Sequence, residues 1–160
     1  MSWRSRPEAW ALLAVAALAV PRRGDAQGWR EVQLWGAGLA SRPAVFVAGA
    51  GLAWRDGGRT RIGGAIAAGT TDDRRTAARL EVAWHFLLDP RRQAGLSVYG
   101  GGGLALGVIE GDDLTPYLQL VLGIESNPGT PASVFVEGGF GGGVRLATGF
   151  RLRKQRRPAR

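Results

Sequence analysis

From residue 29 onward the chain alternates apolar and polar or small residues at every second position, and no stretch shows a helical period. Alternation at period two places successive side chains on opposite faces of a β-strand. Read this way, strands are expected over 29–40, 44–54, 59–70, 77–88, 95–108, 114–126, 132–141 and 143–153. Between them lie Ser41-Arg42-Pro43, Asp56-Gly57-Gly58, Thr71-Asp72-Asp73-Arg74, Asp89-Pro90, Gly111-Asp112-Asp113, Asn127-Pro128-Gly129 and the 141–143 glycine run. Each break supplies the Gly, Pro or Asx chemistry that a chain reversal needs. Eight strands joined by short turns, an even number, predict an all-β, antiparallel, up-and-down closed barrel.

The two faces of these strands differ in chemistry. One carries Leu34, Phe46, Trp54, Leu80, Val82, Trp84, Phe86, Leu118, Leu120, Leu122, Phe140 and Phe150, and only Arg30 interrupts it with a charge. The other carries Glu31, Arg61, Arg79, Glu81, His85, Glu125, Glu137, Arg145 and Arg151 among glycines, alanines, Tyr99 and Gln119. A lipocalin-like soluble barrel would turn the apolar face inward, around a small apolar ligand. A membrane barrel would turn it to lipid. The polar face is mostly Gly and Ala, poor in the dense charge that a solvated sheet carries, and it suits a narrow lumen filled by side chains. Four Glu against four Arg on that face can pair, which desolvated charges require. Antiparallel closure is expected to bring Arg151 near Glu31. Trp29, Trp54, Trp84, Phe86 and Phe150 are expected at strand ends, as interfacial girdles.

The formal charge of +8 separates into regions once mapped. The segments 1–26 and 151–160 carry the whole excess, and 27–150 is neutral. A general basic surface for nucleic acid is thereby excluded. Arg4 and Arg6 followed by the apolar run 9–20, then Gly24 and Ala26, read as a Sec signal peptide over 1–26. The run is too short to cross about 30 Å of hydrocarbon as a helix. With no cysteine in the chain, the exported domain is held without disulfides. The expected organisation is a signal peptide at 1–26, a barrel at 27–153 and a basic tail at 154–160.

With signal peptide, strand count and face chemistry together, the chain over roughly 28–153 resembles the small eight-stranded outer-membrane barrels of the OmpA/OmpX type. The resemblance implies a monomeric, porin-like cell-envelope protein of a Gram-negative bacterium, seated in outer-membrane lipid, with a structural role and no catalytic one. It departs from that class in ending Phe150-Arg-Leu-Arg and a basic tail, where members finish on an aromatic residue.

Other motifs have plain readings. The 100–105 stretch spells a G-x-G-x-x-A fingerprint, but no helix follows to hold a pyrophosphate, so strand glycine is expected. His85, the lone histidine, could join Ser97 and Glu81 in a hydrolytic triad like that of lipid A deacylases; a lumenal histidine in a polar network is the commoner arrangement. Asp72, Asp73, Glu110, Asp112 and Asp113 are expected at one rim, where they could take Ca²⁺ or Mg²⁺, although solvated acidic turns need no metal. No cofactor or resident metal is expected. The basic tail could meet anionic lipid headgroups or another envelope polymer.

Overall fold

The computed structural model describes residues 29–55 and 59–155; the expected signal peptide and the tail from 156 onward lie outside the described residues. Eight antiparallel strands follow in order: β1 (Trp29–Ala40), β2 (Val45–Arg55), β3 (Thr60–Thr71), β4 (Thr76–Leu87), β5 (Leu96–Ile109), β6 (Thr115–Ser126), β7 (Ala132–Phe140) and β8 (Val144–Gln155). Each pairs with its sequence neighbour, and β8 closes on β1. The wall therefore has no free edge, so the backbone groups are satisfied within the sheet.

Expected and observed strand ends agree to within one or two residues. The largest difference is at the C-terminal end of β8, and the one-residue difference at the end of β2 also brings in a charge. β2 takes in Arg55, and β8 runs to Gln155, two residues into the stretch expected as tail. Local chemistry sets the turns: Gly111 (φ 86°) and Gly142 (φ 84°) occupy left-handed positions after β5 and β7. Arg74 (φ 67°) and Asn127 (φ 45°) do the same with side chains.

Strands of 9 to 14 residues are long enough to span a hydrocarbon layer when tilted by about 45°. The apolar face forms the outer wall. Leu34, Phe46, Trp54, Leu80, Val82, Trp84, Phe86, Leu118, Leu120, Leu122, Phe140 and Phe150 are all exposed, from 37% for Leu80 to 70% for Leu118. Two ends can be distinguished. One holds both ends of the barrel chain and the β2–β3, β4–β5 and β6–β7 connections. The other holds the β1–β2, β3–β4, β5–β6 and β7–β8 turns. Trp54, Trp84 and Phe86 lie toward the first end, with Trp84 and Phe86 stacked at 5.8 Å, and Phe46 and Phe140 lie toward the second. Phe150 departs from expectation: it faces Leu34 at mid-strand, because β8 continues five residues beyond it.

Candidate functional site

Alternation turns the opposite face inward, and the nine expected lumen residues Glu31, Arg61, Arg79, Glu81, His85, Glu125, Glu137, Arg145 and Arg151 are all buried, none more than 7% exposed. They form a continuous alternating ladder of ion pairs. Arg153 meets Glu31 at 3.0 Å, and Glu31 meets Arg61 at 2.8 Å. Glu125 is the hub: it accepts from Arg61 (2.9 Å), Arg151 (2.7 Å) and Ser133 (2.8 Å) and is ion-paired with Arg153. Arg151 continues to Glu137 (2.9 Å), Glu137 to Arg145 (2.9 Å), and Arg145 to Glu81 (3.6 Å). Glu81 ends the ladder by accepting from Arg79 at 2.5 Å. Each buried carboxylate thus has at least two cationic neighbours, an arrangement that offsets the desolvation cost of buried charge.

Aromatic rings fill the gaps between guanidinium groups. Arg151 lies 4.1 Å from the Phe135 ring centroid and 4.7 Å from that of Tyr99, and Arg145 lies 5.0 Å from that of Trp35. Cation–π contacts of this kind gain strength where water is excluded. The Tyr99 hydroxyl donates to Glu137 at 2.8 Å and accepts from Arg151 at 2.9 Å, so it bridges an existing ion pair. Its ring needs the space over Gly123, where an added Cβ would fall on the Tyr99 ring. Gly123→Val is therefore expected to lower stability by about 1–3 kcal/mol, as overpacking does, measured by urea unfolding of the protein in detergent.

The lumen differs from the sequence reading in two respects, the number of arginines and the apolar part of the filling. Arg55 and Arg153 are buried with the other arginines, so six arginines face four glutamates where four against four was expected. Closure does bring Arg151 near Glu31: the β1–β8 register sets Arg153 opposite Glu31 and Arg151 opposite Gln33, two positions along the same face. The filling is also partly apolar, with Trp35, Leu39, Val47 and Phe135 clustered inside against Ala37, Ala67 and Ala147. The alternative triad for His85 is not assembled. His85 is opposite Gly101, four positions along β5 from Ser97, or roughly 13 Å at strand rise. Its recorded ring contact is edge-on to Tyr99 at 5.4 Å.

His85 instead borders a cavity of about 30 Å³ with Gln33, Glu81, Gln119 and Arg145, a space for one or two waters. A second, wider space of about 150 Å³ opens at the β1–β2 and β5–β6 rim, with Arg79 and Tyr117 in its lining. The glycines at 100–103 lie inside β5, so the fingerprint-like run is strand; Gly101 admits His85, and Gly103 packs against the β4 backbone.

Of the acidic residues expected at one rim, three are drawn together by an arginine. Arg75 bonds Asp73 and Asp112, each at 2.9 Å, and donates to the Glu110 carbonyl at 3.3 Å. Asp72 and Asp113 sit exposed in the same turns. Among the described residues no group of three or more His, Asp or Glu is placed to hold an ion. The Thr71 hydroxyl, helped by Arg75, holds the Asp73 carboxyl below its ordinary range. The Thr76 backbone N–H, at 3.1 Å, does the same for Glu110. A depressed carboxyl contributes fully above its unfolded-state value, and the contribution is lost as pH falls through the folded one. The Thr76 amide proton resonance is therefore expected to hold its position at neutral pH and to titrate with a midpoint below 4.5, the ordinary value for Glu.

No family model matches the chain, and no curated protein matches it in sequence. Among solved structures, the N-terminal β-barrel domain of Pseudomonas aeruginosa OprF is similar at TM-score 0.61 and 13% identity, over 80% of this chain and 98% of that domain. Neisserial surface protein A is similar at TM-score 0.58 and 13% identity, over 81% of this chain and 99% of that one. The fold is that of the small eight-stranded outer-membrane barrels.

Proposed function

We propose that the chain is an integral outer-membrane β-barrel protein with a structural or envelope-associated role and no catalytic one. The observation that carries this reading is the inversion of faces: a closed wall with apolar residues outside and an ion-pair ladder inside. Water solvates neither arrangement well, whereas a bilayer makes the outer wall favourable and leaves the ladder shielded. The twelve outward residues from Leu34 to Phe150 then face lipid. The soluble alternative needs an apolar lumen, but six arginines and four glutamates occupy it. The hydrolase alternative needs His85 beside a nucleophile, and Ser97 is several residues away along the wall.

An even strand number puts both barrel termini on one side, which this reading assigns to the periplasm. The lumen is packed, so the protein acts as a monomeric stave of the envelope. Liposomes carrying it should swell in an iso-osmotic sugar no faster than empty ones; rapid swelling would refute the filled lumen. The test of the reading itself is fractionation of the exporting cell together with a cold and a boiled gel sample in detergent. The mature chain should partition with the outer membrane and migrate differently before and after boiling. A chain that remains folded and soluble in buffer without detergent would refute it.

A further inference from the structure

Among the described residues, the outward-facing strand positions carry two charges, Arg30 and Lys154, and these two are cross-strand partners in the β1–β8 ladder. Residues directly opposite on one face hold their Cβ atoms about 4.5–5.5 Å apart, and like charges so placed repel. No acid among the described residues pairs with either cation on the outer wall. On the other side of Arg30, across the β1–β2 ladder, is the exposed indole of Trp54. Among the described residues of this rim, Arg59, Arg91 and Arg92 are exposed against Asp89, which Arg92 already bonds at 3.1 Å; Asp56 of the β2–β3 turn lies outside the described residues. The opposite rim carries its acids instead, on the β3–β4 and β5–β6 turns.

A sheet tolerates two facing cations on an otherwise uncharged wall when an anion lies between them. At this depth the side chains suit such an anion. Arg and Lys extend apolar stems along the wall and place their heads at the water boundary, and a Trp beside them sits at headgroup level. We propose that Arg30 and Lys154, flanked by Trp54, form an outer-wall site for the phosphate of an anionic phospholipid in the leaflet at the rim that holds the chain termini. The proposal rests on the membrane-spanning reading above. It places the site on the barrel wall, separate from the tail beyond Gln155.

The test compares spin-labelled phosphatidylglycerol with spin-labelled phosphatidylcholine at the surface of the full-length mature chain in phosphatidylcholine vesicles. The wild-type protein should prefer phosphatidylglycerol. Arg30→Gln and Lys154→Gln should each reduce that preference by about fivefold, from the attraction of one basic residue at a membrane surface. The double variant should lose most of it, and excess inorganic phosphate should leave the wild-type preference intact. A preference that survives the double variant, or that disappears instead on Arg156→Gln/Arg157→Gln/Arg160→Gln, overturns the site, as does displacement by inorganic phosphate. Flotation of each variant with the vesicles separates the two readings. Proteins that float without a phosphatidylglycerol preference refute the headgroup site alone, whereas a wild-type chain that fails to float refutes both.

Discussion

Replacing Glu125 by leucine is expected to cost about 3–5 kcal/mol of stability, the range for stripping a buried ion pair of one partner. Glu125 accepts from Arg61, Arg151 and Ser133 and pairs with Arg153, so its loss leaves three buried guanidinium groups short of a counter-ion. Each keeps one other carboxylate: Glu31 for Arg61 and Arg153, and Glu137 for Arg151. The ladder is therefore weakened at its hub without being dissolved. Ser133→Ala removes a single hydrogen bond donated to the same carboxylate and should cost only about 1 kcal/mol. Equilibrium urea unfolding in detergent or vesicles, read from the cold-gel mobility of the folded form, orders the two variants. Equal effects would mean that Glu125 is not the hub. Salt should change neither result much, because buried pairs are poorly screened.

The second large effect is on the outer wall. Leu120 is 54% exposed in the middle of β6, and Leu96 is 60% exposed at the start of β5. On a soluble protein, arginine at either exposed position would be close to neutral. On a lipid-facing wall the cost depends on depth, about 2–4 kcal/mol at the bilayer midplane and about 0–1 kcal/mol near the interface. Leu120→Arg is thus expected to destabilise the protein severely in vesicles, and Leu96→Arg hardly at all. The same unfolding assay checks this. Two equal, small effects would place the wall in water.

Much of this architecture is legible in the sequence because period two is a strict code. A position's parity fixes its face, and the nine lumen residues named from parity and charge are all buried, together with others that were not named. The errors occur where parity conflicts with residue type or where no turn fixes the register. Trp35 and Phe135 have inward parity and apolar chemistry, and the sequence reading places neither of them on a face. Arg153 shares the parity of Arg151 and lies inside the expected strand, yet as its last residue beside the basic tail it is not named among the lumen residues. Arg55 is lost in the same way beside the β2–β3 turn. The β1–β8 register cannot be read from local chemistry, since no connection joins those strands; that Arg153 stands directly opposite Glu31, with Arg151 two positions along, belongs to closure of the whole wall. Arg75 at the acidic rim is a further case. Sequence shows acids that could gather round a metal, and only the folded turns show a guanidinium already between Asp73 and Asp112.

Which side of the wall meets lipid can be measured directly, because the chain has no cysteine and a single introduced thiol is unambiguous. With Leu120→Cys carrying a bimane fluorophore in reconstituted vesicles, lipids brominated at mid-chain should quench the emission and aqueous iodide should not. Quenching by iodide, with no effect of brominated lipid, would show that the apolar wall does not face a bilayer.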